Sequence, residues 1–85
     1  MHGVELLEQA LDVAKRLGLD VRREWLGTGG GVCEFRGRRR LFVDLSEPVL
    51  DQLAQVRDAL RNEPELARVP MSVELRHLIG CRRAA

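Results

Sequence analysis

The feature that most restricts the fold is the punctuation of residues 20–45. A glycine-rich run, Gly27-Thr28-Gly29-Gly30-Gly31, and a lone Gly37 divide this stretch into three alternating apolar and polar segments: Asp20 to Leu26, Val32 to Arg36 and Arg40 to Leu45. Period-two alternation sends successive side chains to opposite faces of a strand, and glycine supplies the positive φ that hairpin turns need. The pattern predicts a three-stranded antiparallel meander. A loop of Gly29-Gly30-Gly31 would pair Trp25 with Phe35 and Glu24 with Arg36. A second loop, Gly37-Arg38-Arg39, would keep Leu41 and Val43 on the same face as Cys33 and Phe35. That register sets Val21, Trp25, Cys33, Phe35, Leu41, Val43 and Leu45 toward the core, with Trp25 beneath the first helix. Leu26, Val32 and Phe42 then lie on the opposite face among alternating charges.

Helical periodicity flanks the strands. From Val4 to Leu17 the apolar residues at 4, 7, 11 and 14, widened by 6, 10, 13 and 17, form one broad stripe, with acids early and bases late. Gly18 is placed to close this helix in the left-handed conformation, with Leu19 folding back. Ser46 is the expected cap of a second helix starting at Glu47-Pro48, with Val49, Leu53, Val56 and Leu60 inward. Pro64 stops it, and Asn62 with Glu65 has the spacing of a capping box that opens a short helical turn through Ala67. Residues 71–79 read as a last helix, with Leu75, Leu78 and Ile79 inward and Gly80 as its stop. The expected fold is α+β, a two-layer αβββα(α) arrangement with the helices packed on one sheet face.

A chain of 85 residues and 9.6 kDa has room for one such domain, read as residues 1–80, followed by a basic C-terminal tail, 81–85. The apolar runs are too short for a membrane span, and the N-terminus lacks a signal-peptide pattern. The sequence is therefore read as cytoplasmic, with no membrane partner. Formal charge is only +1, but residues 21–40 carry six basic and two acidic side chains, and residues 41–66 carry two and six. Thirteen of the 14 basic residues are Arg, an arginine-rich balance that resembles heat-adapted composition.

Four candidate chemistries follow. The glycine-rich run superficially resembles a phosphate-binding loop, yet it leads into a strand where such loops lead into a helix, so a turn explains it better. The hairpin around Arg36, Arg38, Arg39 and Arg40 presents four guanidiniums that can fork onto phosphates of RNA or another anion, or pair with acids such as Asp51 and Asp58. The usual readers of single strands add exposed stacking aromatics, and two of the three aromatics here are assigned to the core. Cys33, His77 and Cys81 provide soft ligands for a thiol or zinc site. His77 and Cys81 have i, i+4 spacing, but no paired C-x₂-C knuckle is present and Gly80 interrupts the helix. Catalysis has no constellation: Ser46 and Ser72 sit where caps are needed, tyrosine is absent, and Glu34 with Asp44 reads as surface charge.

The sequence thus predicts a non-enzymatic protein-interaction module without metal or cofactor. Its partner is itself, as a two-fold homodimer, or another protein. Leu26, Val32 and Phe42 are the expected interaction surface, and segregated charge supports self-complementarity. The alternative is an RNA- or anion-binding domain acting through Arg36, Arg38, Arg39 and Arg40. A thiol or zinc site is the third reading.

Overall fold

The computed structural model describes residues 2–80. Helix α1 spans Gly3–Arg16 and buries Leu7, Ala10, Leu11, Val13 and Ala14, with Glu5 in its first turn and Lys15 and Arg16 in its last. Its end is built as its sequence suggests. Gly18 adopts φ 88°, its N–H donates to the Lys15 carbonyl at 3.0 Å, and the Leu19 N–H donates to the Ala14 carbonyl at 3.1 Å. These bonds satisfy the last carbonyls of α1 and tuck Leu19 into the core, which aims the chain into the sheet.

The sheet has three strands, β1 (Asp20–Glu24), β2 (Gly31–Phe35) and β3 (Arg38–Asp44), in the order β1-β3-β2. β2 and β3 are antiparallel, but β1 pairs with β3 in parallel, so the α+β class holds and the antiparallel meander does not. β1 never meets β2, and the expected pairs Trp25 with Phe35 and Glu24 with Arg36 are absent. Parallel neighbours need a long return path. Here β2 itself provides it, running back along the far side of β3.

The reason for this order lies in which strand is apolar on both sides. Leu41-Phe42-Val43 is a continuous apolar run, as suits a central strand, whereas β1 is charged at four of its five positions and β2 carries Glu34, as suits edges. The hairpin between β2 and β3 is a two-residue turn, Arg36-Gly37, with φ 52° and 77°. Positive φ at both positions matches the twist of a tight hairpin. The expected three-residue loop would have shifted the register by one. With the shorter turn, Val32 faces across to Leu41 and Glu34 to Arg39, while Cys33 pairs with Arg40 and Phe35 with Arg38. Cys33 and Phe35 therefore lie on the side opposite Leu41 and Val43, the reverse of the sequence expectation.

Two helices, α1 and α2 (Val49–Arg61), cover the Leu41 and Val43 side, and α3 (Val73–Ile79), preceded by one 3₁₀ turn at Leu66–Arg68, packs against both of them and adds Leu75 and Ile79 to the core. The core is aliphatic. Leu41, Val43, Val56, Leu60, Leu75 and Ile79 are fully buried, and none of the three aromatic residues is among the buried core. Trp25, expected beneath α1, is 77% exposed in the loop that follows β1. Arg23 shares the helix side of the sheet and reaches Glu8 of α1 at 2.8 and 3.1 Å. Ser72 caps α3 by accepting from the Leu75 N–H at 3.1 Å, and its own N–H and hydroxyl donate to Gln9 Oε1 of α1. Ser46 caps nothing: Pro48 occupies the position before α2, with no side-chain cap. Asn62 likewise opens no capping box, its amide donating back to the Asp58 carbonyl at 3.3 Å. No helix among the described residues is long and apolar enough to cross a membrane.

Candidate nucleic-acid interface

The second sheet face carries Asp20, Arg22 and Glu24 from β1, Cys33 and Phe35 from β2, and Arg38, Arg40, Phe42 and Asp44 from β3, as alternation along the paired strands requires. One end of this face is held shut. Asp44 is fully buried, and its carboxylate accepts four hydrogen bonds: from the Ser46 hydroxyl at 2.6 Å, the Ser46 N–H at 2.9 Å, the Leu26 N–H at 3.0 Å and the Gly29 N–H at 2.8 Å. The loop from β1 to β2 thus crosses the end of β3 with its amides turned onto Asp44. The Ser46 hydroxyl lowers the Asp44 pKa most. Burial opposes it, and the amides of Ser46, Gly29 and Leu26 add to the lowering, so the carboxyl is held well below its ordinary 3.8. The glycine-rich run serves the same crossing. A Cβ on Gly30 would stand 2.0 Å from the Phe42 carbonyl oxygen and 2.7 Å from Gln55 Oε1, so only a bare backbone fits between β3 and α2 there.

The other end, toward the hairpin, is open. Phe35 is 49% exposed, and the guanidinium carbons of Arg36 and Arg40 lie 5.2 and 5.1 Å from its ring centroid, within the range of cation–π attraction. Asp20 sits beside Arg40 at 3.1 Å and Arg22 at 3.4 Å. Arg38 has no carboxylate within ion-pair distance among the described residues, and neither has Arg36. Arg39 points the other way, to the helix side, where it pairs with the buried carboxylate of Glu63 just after α2. The four hairpin arginines therefore divide. Arg36, Arg38 and Arg40 surround an exposed aromatic ring, while Arg39 is structural.

The expected interaction surface is also divided. Phe42 lies half-buried on the open face, Val32 lies on the helix side and is 44% exposed, and Leu26 belongs to the loop clamped by Asp44. Cys33 is an exposed residue of the open face, not a small core side chain, and His77 is exposed on α3 in the helix layer. Cys81 lies outside the described residues, and among those described no three His, Cys, Asp or Glu side chains gather as metal ligands. Two contributors went unrecognised in the sequence. Asp44 could have been found from the Asp-x-Ser spacing of Asp44 and Ser46, a pattern of local side-chain turns. Phe35 is set outward by the turn length, which the glycine position alone leaves open. Comparison with protein-family models, with curated proteins and with solved structures gives no match.

Proposed function

We propose that the chain is a non-enzymatic binding module whose open sheet face takes single-stranded nucleic acid. The observation that carries this reading is the half-exposed Phe35 ring flanked by Arg36 and Arg40, with Arg38 beside it and, among the described residues, no carboxylate within ion-pair distance of Arg38. A base stacks on an exposed aromatic ring with about 1–3 kcal/mol, independent of sequence, and guanidiniums alongside meet the phosphates. The outward Phe35 supplies the exposed aromatic that a sequence reading with Phe35 in the core lacks. The open face is modestly basic: Arg22, Arg36, Arg38 and Arg40 stand against Asp20 and Glu24, and the Asp44 carboxylate is already saturated by four donors. Two or three phosphate contacts suit such a surface, which implies a weak, salt-sensitive and sequence-tolerant ligand.

The test is fluorescence anisotropy of labelled single-stranded RNA and DNA oligonucleotides at two salt concentrations. Binding should weaken with salt, each arginine removed should reduce the log–log slope by about 0.7, and Phe35→Ala should weaken binding by about 1–3 kcal/mol. Absence of binding at low salt, or binding indifferent to Phe35→Ala, would contradict the reading.

A further inference from the structure

The free edge of β2 has a specific shape. Phe35 and Arg38 close a two-residue turn, so they form a hydrogen-bonded pair, and alternation along the ladder makes Cys33 with Arg40 and Gly31 with Phe42 hydrogen-bonded as well. The N–H and C=O of Val32 and Glu34 consequently point away from β3. Among the described residues nothing pairs with them. The strand is exposed along its whole length, and it has neither the proline nor the lysine that commonly blunts a free edge.

We infer that this edge pairs with the same edge of a second copy of the chain, antiparallel about a two-fold axis through Cys33, joining two sheets into one of six strands. The register follows from elimination. An antiparallel two-fold must centre on one residue, because only residues whose backbone groups point the same way can face each other. Centring on Glu34 sets like charges directly opposite, which destabilises. Centring on Val32 leaves Glu34 facing Gly30 and moves Phe35 off the seam. Centring on Cys33 pairs Val32 with Glu34 of the second copy twice, so all the free donors and acceptors of both residues are used. It also sets the half-exposed Phe35 ring across from Gly31 of the second copy, where the missing side chain leaves room for it. The open face becomes continuous across the axis, with two Phe35 and arginine clusters side by side.

This pairing does not rest on the nucleic-acid reading, and its test separates the two. In a Cys81→Ser background, light scattering after size exclusion should give a mass approaching twice 9.6 kDa as concentration rises. Cys33 and its counterpart form a non-hydrogen-bonded pair, the closer of the two kinds, so diamide, which takes up the two hydrogens, should convert the dimer to a disulfide-linked one. Val32→Pro removes a donor that only the second copy uses. It should leave the circular dichroism of the chain unchanged while abolishing both dimer and cross-link. A chain monomeric at every concentration, or a dimer that survives Val32→Pro, overturns the pairing. Should Val32→Pro fail to fold, the cross-link in the unmutated strand decides: a dimer without a Cys33 disulfide refutes the register. A natural chain that stays monomeric yet binds the oligonucleotide overturns the pairing and leaves the open-face reading standing, whereas a Val32→Pro-sensitive dimer that binds none upholds the pairing and removes that reading.

Discussion

The Phe42 carbonyl oxygen occupies the space a side chain on Gly30 would need, 2.0 Å from the position of its Cβ. This contact fixes where the chain crosses from β1 to β2 over the end of β3. Gly30→Ala is expected to cost at least about 1–3 kcal/mol, because the obstacle is backbone and has little room to yield. Gly27→Ala meets nothing within 4 Å and suffers only from its φ of 74°, so it should cost about 1 kcal/mol. Urea unfolding midpoints of the two variants check the order.

The four bonds onto Asp44 make stability depend on acid. The folded pKa lies below the ordinary 3.8, so the contribution is fully present above that value and is lost as pH falls beneath it. Urea midpoints followed from about pH 5 to about pH 2 should fall for the natural chain, and the gap between it and Asp44→Asn should narrow over the same range. A gap that stays constant would show that the carboxylate charge has no part in holding the loop. Ser46→Ala, which removes the shortest of the four bonds, should cost about 1–3 kcal/mol at neutral pH.

Trp25 should emit like free tryptophan in the native state and shift little on unfolding, since it is 77% exposed. Trp25→Ala should change stability by less than about 0.5 kcal/mol, as for other surface substitutions. Blue-shifted native emission would place the indole in contact with the core and contradict the loop.

What could be read in the sequence was local. The stripe of α1, the closure at Gly18 and Leu19 and the Ser72 cap of α3 each depend on residues within one or two turns of one another, and each appears as expected. The existence of three strands was equally legible from their alternation. Pairing order was not, because alternation says which residues share a face of one strand and nothing about which strand lies beside it. The two-sided apolar run Leu41-Phe42-Val43 was the available signal for a central β3. One residue in the length of the Arg36-Gly37 turn then decided the site. A three-residue loop would have buried Phe35 with Leu41, whereas the two-residue turn sets it among arginines on the open face. The double role of the arginine hairpin was hidden for the same reason, since parity alone separates Arg38 from Arg39.

That separation gives a paired prediction. Arg39→Ala leaves the buried Glu63 carboxylate without its partner and should destabilise the chain by about 1–2 kcal/mol, reduced from the fully buried case because Arg39 is 44% exposed, with oligonucleotide affinity preserved. Arg38→Ala should do the reverse, leaving the unfolding midpoint within about 0.5 kcal/mol and weakening binding. Equal effects of the two on binding would mean that net charge alone attracts the ligand.

The most direct measurement is a two-dimensional amide spectrum of the chain titrated with a short single-stranded oligonucleotide. Shifts concentrated at Cys33, Phe35, Arg36, Arg38, Arg40 and Phe42, with α1 and α3 silent, are the predicted result. Shifts gathered on the helix layer, or no saturable shift at low salt, would contradict the assignment of the open sheet face as the binding surface.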